Sequence, residues 1–376
     1  NLFFFAIICT KHFKHSIMLN KLFLFKSLTI NALSFINFIM LTTYYCEDYM
    51  NILITNLSYH ASMDIIKLLK SIDKINFFII GTSTLPYGNT SASKFVDKFI
   101  FQPPFAPELK YLEFIIKLCN QEQIDILFAI DEYEIKILSK YKDLIPAKFI
   151  CPESDIIELF CDKEKANQAM KKLSINIPKS IESNADLNDI NSNTIISRKK
   201  VSCASLGIKR FNINEIENVQ DLITESTILQ ENILGMEYCV DVFCNKNGIP
   251  LIIVPRDRIA IRGGTTHKCS LIRNEKLISI CKKICYNYKL PGFSNIQFIV
   301  EDKTNKIYFL EVNPRIGATT IASSLGSFNW IELFINHFYY DKPLENFEDN
   351  MNKVKWGAFI SRYYEETICL KEENDR

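Results

Sequence analysis

The sequence predicts an α/β fold in its first half that gives way to antiparallel sheets in its second. Three observations carry this reading. Short apolar strands alternate with amphipathic helical stretches over roughly residues 50–150, the arrangement of a parallel sheet with crossover helices. Further along, alternating apolar residues flank an Asn-Gly pair in "EYCVDVFCNKNGIPLIIV", a strong hairpin signal. A second hairpin follows in "NIQFIVEDKTNKIYFLEVN", around a polar turn at 301–306. The chain has 376 residues, 48% of them hydrophobic and 23% charged, enough for two or three domains with their own cores. A formal net charge of +1 gives no electrostatic reason to expect a nucleic-acid partner.

Residues 1–49 stand apart from the rest. They are rich in Phe, Leu, Ile and Asn, and carry no acidic residue before Glu47. Ser27 to Cys46 is uncharged, but Asn, Ser and Thr interrupt it throughout, so membrane insertion would be marginal. The expectation is a leader or upstream extension outside the fold rather than a membrane anchor. The 12 cysteines include no C-x-x-C pair, and Cys281 and Cys285 fall at helical i, i+4 spacing. They read as reduced core thiols of a cytosolic protein.

From Met50 the elements follow in order. "MNILITN" is a strand, "SMDIIKLLKSI" a helix, "INFFIIGTS" a second strand, and "KFIFQPP" ends in prolines. "ELKYLEFIIKLCNQEQ" is an amphipathic helix leading into the strand "IDILFAI". The turn after the first strand, "TNLSYHAS", has no glycine, which excludes the G-x-G-x-x-G dinucleotide fingerprint there. Asp131 and Glu132 in "AIDEYE" are either a substrate edge or a helix N-terminus. Asp162 is an N-cap for a helix running to about Leu173. The polar "ESNADLNDINSN" reads as a loop, followed by the strand "NTIISRKK", the loop "VSCASLG" and the strand "IKRFNI". "INEIENVQDLI" is expected to be a helix, and "TILQENILG" another apolar segment.

The end of the second hairpin carries the chemistry. On a strand, residues i and i+2 share a face, so Glu311 and Asn313 project together. The turn over 301–306 brings Gln297 beside or opposite Glu311, and on the same face if the two pair. One carboxylate and two amide oxygens make a hard-cation site with room for outside ligands, the usual situation of magnesium on phosphates. Arg315, just past Pro314, would offer the same phosphate a planar fork of donors. The alternative is a strand end with Asn-Pro as turn punctuation. In "PRDRIAIRGGTTHKCS", Arg256, Arg258 and Arg262 would share one face of a single strand. That is either a basic stripe for a carboxylate or phosphoryl intermediate or a charged, solvated edge. His267 in the same stretch is weak support for catalysis.

"FCDKEKANQAMKKL", "LQENILGMEYCVDV", "SNIQF" and "FLEVNPRIG" together resemble the ATP-grasp superfamily, in the order and spacing of its motifs over roughly residues 51–340. The nearer likeness is to nucleotide domains of the carbamoyl-phosphate synthase large-chain type and related carboxylate–amine ligases. Only one such nucleotide unit is present, which argues against full carbamoyl-phosphate synthesis. The resemblance implies a Rossmann-like parallel-sheet domain over 50–155, a small lid over 156–235 and an antiparallel catalytic region over 236–376. By position it implies Gln297, Glu311 and Asn313 as metal ligands, with Gln297 and Glu311 also touching the nucleotide. Arg315 and Arg198 would meet the transferred phosphate; Arg262 joins them as a catalytic candidate from the basic stripe, not from the resemblance. Lys163 would be a phosphate contact, Gln230, Glu231, Asn232 and Ile233 the adenine hinge, and Glu237 the ribose contact.

The implied cofactors are ATP and Mg2+, with Mn2+ as a substitute. The implied partners are a small-molecule carboxylate and an amine, with a homodimer compatible and neither nucleic acid nor membrane expected. The lid loop "KKVSCASLG" departs from the resemblance, since Gly207 is its lone glycine where close phosphate approach favours several. That leaves two functional readings, a cytosolic ligase or an ATP-binding module that acts through lid closure.

Overall fold

The structure is a computed structural model that describes residues 49–190, 192–201 and 208–370. Residues 1–48, with the expected leader and the Ser27–Cys46 stretch, and most of the lid loop, including Gly207, lie outside the described residues.

Strands β1 (Tyr49–Ile54), β2 (Asn76–Ser83), β3 (Lys98–Phe101) and β4 (Ile126–Phe128) form a parallel sheet in the order β3-β2-β1-β4. Helix α1 (His60–Lys70) connects β1 to β2, and α2 (Glu108–Gln121) precedes β4. The near-continuous apolar runs of β1 and β4 fit a sheet covered on both faces. Because β2 and β4 flank β1 on opposite sides, the chain reverses its lateral direction beside β1. Ligand crevices of open α/β sheets form at such a point, outside the carboxyl ends of the strands. Asp131 stands there as the N-cap of α3 (Glu132–Ser139), accepting hydrogen bonds from the backbone N–H groups of Tyr133 and Glu134.

Two short helices, α4 (Ser154–Cys161) and α5 (Lys163–Lys172), lead to the second half. Asp162 caps α5 as its sequence position predicts, taking the N–H groups of Glu164 and Lys165. A small antiparallel sheet follows in the order β6-β5-β7, from β5 (Thr194–Lys199), β6 (Lys209–Asn212) and β7 (Thr227–Glu231). It covers its own cluster of Ile181, Ile195, Val219 and Leu229. The helix expected in "INEIENVQDLI" does not form. Two separate 3-10 turns, Ile213–Glu215 and Val219–Leu222, stand in its place. The side chains of Asn212 and Asn218 each accept a backbone N–H two residues on, closing local turns at the expense of a continuous helix. The polar stretch before β5 also contains a short turn, Asn184–Asp189, with reciprocal Ser183 and Asp186 capping.

The largest antiparallel sheet has the order β13-β12-β8-β9, from β8 (Gly235–Cys244), β9 (Pro250–Asp257), β12 (Gly292–Glu301) and β13 (Ile307–Asn313). Its first hairpin turns at Asn247–Gly248. Gly248 has φ +74°, and a Cβ there would lie 2.4 Å from Lys289 Cα, so conformation and space both require glycine. Helix α6 (Glu275–Tyr288) covers one face of this sheet through Leu277, Ile278, Cys281, Ile284 and Cys285. The i, i+4 cysteine pair therefore serves the core. Full burial of each aliphatic side chain is worth at most about 1.5–3 kcal/mol.

A third antiparallel sheet joins β10 (Ala260–Arg262), β11 (Thr265–Ser270) and β14 (Phe359–Ser361). Between β13 and β14 lie helices α7 (Thr320–Leu325), α8 (Trp330–Phe334) and α9 (Phe347–Asn352). Phe334 packs on Phe128 of the parallel sheet at 5.1 Å between ring centroids and stacks on Phe293 of β12 at 5.5 Å. The two sheets thus share one continuous core.

Two crossings tie the small β6-β5-β7 sheet to the large one. In the first, Asn176 O accepts Phe309 N–H while its side chain donates to Ile307 O. Three residues on, Lys179 O accepts Glu231 N–H, and Lys179 N–H donates to the Glu231 carboxylate at 2.8 Å. The second crossing is the short link from β7 to β8.

Candidate active site

Glu311 lies on β13, directly opposite Gln297 of β12, and Asn313 lies opposite Asn295. Leu310 makes this possible. Phe309 pairs with Phe298 and Glu311 with Gln297, so Leu310 is an extra residue, a β-bulge. In an unbroken ladder Gln297 would face Leu310, and Glu311 would turn to the side of Phe309, which is fully buried. The bulge lets Phe298 and Phe309 pack in the core while Gln297 and Glu311 face the other way.

Around Glu311 the expected cations converge. Its Oε2 is 3.9 Å from Lys163 Nζ and 3.5 Å from Arg198 Nη2, and its Oε1 accepts Asn313 Nδ2–H at 3.2 Å. Lys163 is the first residue of α5 and is buried to 6% exposure. A cation there opposes the helix dipole, and Glu311 accounts for it. Arg315 donates from Nη2 to Asn313 Oδ1 at 3.5 Å and from Nη1 to Ile316 O. Its main partner is the carboxylate of Glu132 at the start of α3. Burial disfavours the Arg315 charge, and Glu132 more than offsets this, so its pKa moves further above an already high value. A small cleft is lined by Glu132, Phe160, Lys163, Glu311, Asn313 and Pro314.

The expected hinge residues run from the end of β7 into the link to β8. Gln230 is buried, and Glu231 spends its carboxylate on Lys179 N–H. Asn232 N–H donates to Thr194 O and its side-chain amide to Thr194 Oγ1, while Ile233 is buried. Glu237 is half exposed and holds Arg258 Nη1 at 2.7 Å.

The three arginines expected on one strand face part company. Arg256 is on β9, fully buried, and forks onto Asp241 through Nε at 2.7 Å and Nη2 at 3.1 Å. Arg258 lies beyond the end of β9 and binds Glu237, Thr266 Oγ1 and Gly264 O. Arg262 is exposed on β10 and donates to Tyr364 Oη at 3.1 Å. Among the described residues, no hydrogen bond or ion pair joins Arg262 to Glu311, Asn313 or Arg315. The single-face expectation fails because the chain leaves β9 at Asp257 and a bulge interrupts β10 against β11.

Sequence reading missed Asp241. Its carboxylate is fully buried and accepts from Arg256, Asn295 Nδ2, Thr320 Oγ1 and Ser323 Oγ. Thr320 Oγ1 in turn accepts Gly317 N–H, so Asp241 anchors the loop that follows Arg315. The available signal was an acidic residue inside the apolar alternation "YCVDVFC", since a lone charge on a buried strand needs a partner.

Residues 160–319 match the family profile described as the ATP-grasp domain. This stretch is an ATP-grasp domain. The carbamoyl phosphate synthase large chain of Thermoanaerobacter pseudethanolicus is 26% identical over 128 residues, 33% of this chain and 12% of that protein. The chain therefore spans about an eighth of the length of that curated relative. Among solved structures, the biotin carboxylase domain of Hydrogenobacter thermophilus 2-oxoglutarate carboxylase, in complex with MgADP, ADP and bicarbonate, superposes with TM-score 0.60. It is 15% identical, with 83% of this chain and 73% of that one covered. The L-amino acid ligase from Bacillus licheniformis gives TM-score 0.56 at 15% identity, covering 81% of this chain and 76% of that one. The ATP-grasp domain thus takes in α5, the small sheet and the large sheet, with the parallel sheet preceding it. Among the described residues no helix is long and apolar enough to cross a membrane.

Proposed function

We propose that this chain is an ATP- and magnesium-dependent ligase that activates a small-molecule carboxylate as an acyl phosphate for attack by an amine. The observation that carries the reading is the convergence on Glu311 of Gln297, Asn313, Lys163 and Arg198, with Arg315 beyond. Among the described residues no cluster of three or more His, Cys, Asp or Glu side chains is arranged to hold a metal. A divalent cation at Glu311 would therefore rely on the amide oxygens and on ligands brought by the nucleotide, which suits magnesium. Three cations gathered around so few carboxylates likewise suit a polyanionic ligand.

In this reading Gln297, Glu311 and Asn313 hold the metal, which when bound would neutralise charge on the ATP phosphates. Lys163 and Arg198 orient the phosphates, and Arg198 and Arg315 stabilise charge on the phosphoryl group in transfer. The carboxylate oxygen attacks the γ-phosphorus and ADP leaves. The amine then attacks the acyl carbon and expels phosphate, its surplus proton passing to a phosphate oxygen or water. Gln230, Glu231, Asn232 and Ile233 are assigned to the adenine edge and Glu237 to the ribose, with the small β6-β5-β7 sheet as the lid.

The ligases and carboxylases of similar fold support the reaction class, and the domain match supports the nucleotide. The test is phosphate release from ATP and magnesium by the full chain, against a panel of amino acids and other carboxylates, with and without an amine. Release that requires one carboxylate and is lost in Glu311→Ala supports the ligase. ATP binding without release across the panel would leave a nucleotide-binding module instead.

A further inference from the structure

We propose that Glu132 exchanges partners during the cycle, holding Arg315 in the empty site and an ammonium group of the substrate in the loaded one. This inference rests on the ligase reading above and assigns that site a cationic amine as substrate class. Glu132 is the only carboxylate among the cleft-lining residues besides Glu311, and it comes from the parallel-sheet half while the other charged groups come from the ATP-grasp half. It stands at the carboxyl end of β4 beside β1, where the sheet topology opens a crevice.

The charges around the cleft show why an exchange is required. Two carboxylates, Glu132 and Glu311, face three cations, Lys163, Arg198 and Arg315. With metal and phosphates bound, Glu311 would serve the metal and the three cations would serve phosphate oxygens. Arg315 is ready for this, since among the described residues its Nε is buried without a hydrogen-bond partner. Glu132 is then stranded. Its side chain is only 22% exposed, and Asp131 beside it is already committed to capping α3. A partly buried carboxylate without a counter-charge is costly, and water cannot fully solvate it there. Of the groups a carboxylate–amine ligase must bind, the protonated amine is the one that restores neutrality at this position, and it gives its proton to a phosphate oxygen or water before it attacks.

The exchange predicts a coupling that needs no turnover to observe. Because Glu132 competes with phosphate for Arg315, Glu132→Gln binds the magnesium complex of the β,γ-imido ATP analogue about tenfold more tightly than the unaltered chain. Glycinamide, cationic at neutral pH, tightens analogue binding by the unaltered chain and by Glu132→Asp, and leaves Glu132→Gln unaffected. Acetamide, its neutral counterpart, affects none of the three. Calorimetric titration of the full chain measures all of these, and matching thermal melts show that the variants are folded. Equal analogue affinity in Glu132→Gln and the unaltered chain, or an equal glycinamide effect on both, overturns the exchange. Failure of the unaltered chain to bind the analogue at all overturns the ligase reading instead.

Discussion

Gln297 and Glu311 face one another across the β12–β13 ladder because Leu310 between Phe309 and Glu311 has no partner. That one unpaired residue separates the core side of the strand from the site side. It lets a strand whose earlier residues, Ile307 and Phe309, are buried present a carboxylate two positions later on the opposite face. Bulges are common beside active sites for this reason, since they re-aim a side chain without lengthening the strand.

Glu311→Gln keeps the shape of the side chain and removes its charge. The expected result is a loss of magnesium-dependent ATP affinity of at least about tenfold, measured calorimetrically at fixed magnesium. Unchanged affinity would show that the metal, if used, binds elsewhere.

Arg198 and Arg262 give opposite expectations. Arg198 is 3.5 Å from Glu311, whereas Arg262 is exposed and engaged with Tyr364. Arg198→Ala should lower kcat for phosphate release about 100-fold, the scale of losing one group that stabilises transferred charge. Arg262→Ala should change it far less. A comparable loss in both would return Arg262 to the catalytic set.

Asp241→Ala should destabilise the fold by about 3–5 kcal/mol, because it strands the buried Arg256 guanidinium. Urea unfolding measures this. Replacing Asp241 and Arg256 together with apolar residues of similar size should recover much of the loss. If the single and double replacements cost the same, the ion pair is not the cause.

Stability should depend on pH through Glu134. Burial raises its pKa from 4.5 to about 7, against the lowering effect of hydrogen bonds from Tyr111 and Thr55. The folded form therefore keeps a proton that the unfolded chain gives up, so the protonated folded state is favoured at low pH. This contribution is fully present below about pH 4.5 and is lost as pH rises to about 7, amounting to about 3 kcal/mol. Asp64, raised from 3.8 to about 6 mainly by burial, acts in the same direction. Urea midpoints across this range should fall with rising pH, and less steeply in Glu134→Gln. Parallel profiles for the two proteins would rule out Glu134 as the source.

Much of the site was legible in the sequence because strand periodicity is short-range. Glu311 and Asn313 are two residues apart, and the polar turn at 301–306 limits what Gln297 can meet. The Leu310 bulge was not legible, since it arises from fitting Phe309 to Phe298 within a shared core. The contact of Glu132 with Arg315 was hidden for a related reason, as 183 residues separate them and only the packed fold brings them together. "INEIENVQDLI" misled because its helical apolar spacing ignored Asn212 and Asn218, which turn the backbone locally. The arginine stripe misled because periodicity cannot show where a strand stops.

The double link at Lys179 and Glu231 would also limit any motion of the small sheet. A sheet attached by one strand could swing in any direction. This one is attached twice, through the segment after Asn176 and through residues 232–234, with the two attachments laced together by the Lys179–Glu231 hydrogen bonds. Twisting one attachment against the other would break that lacing, while rotation about the line through both would leave it whole. In the proposed lid role the sheet would be mounted like a door on two pins, confined to one arc, and its opening would have to break the hydrogen bond from Lys163 N–H to Lys200 O and part Arg198 from Glu311.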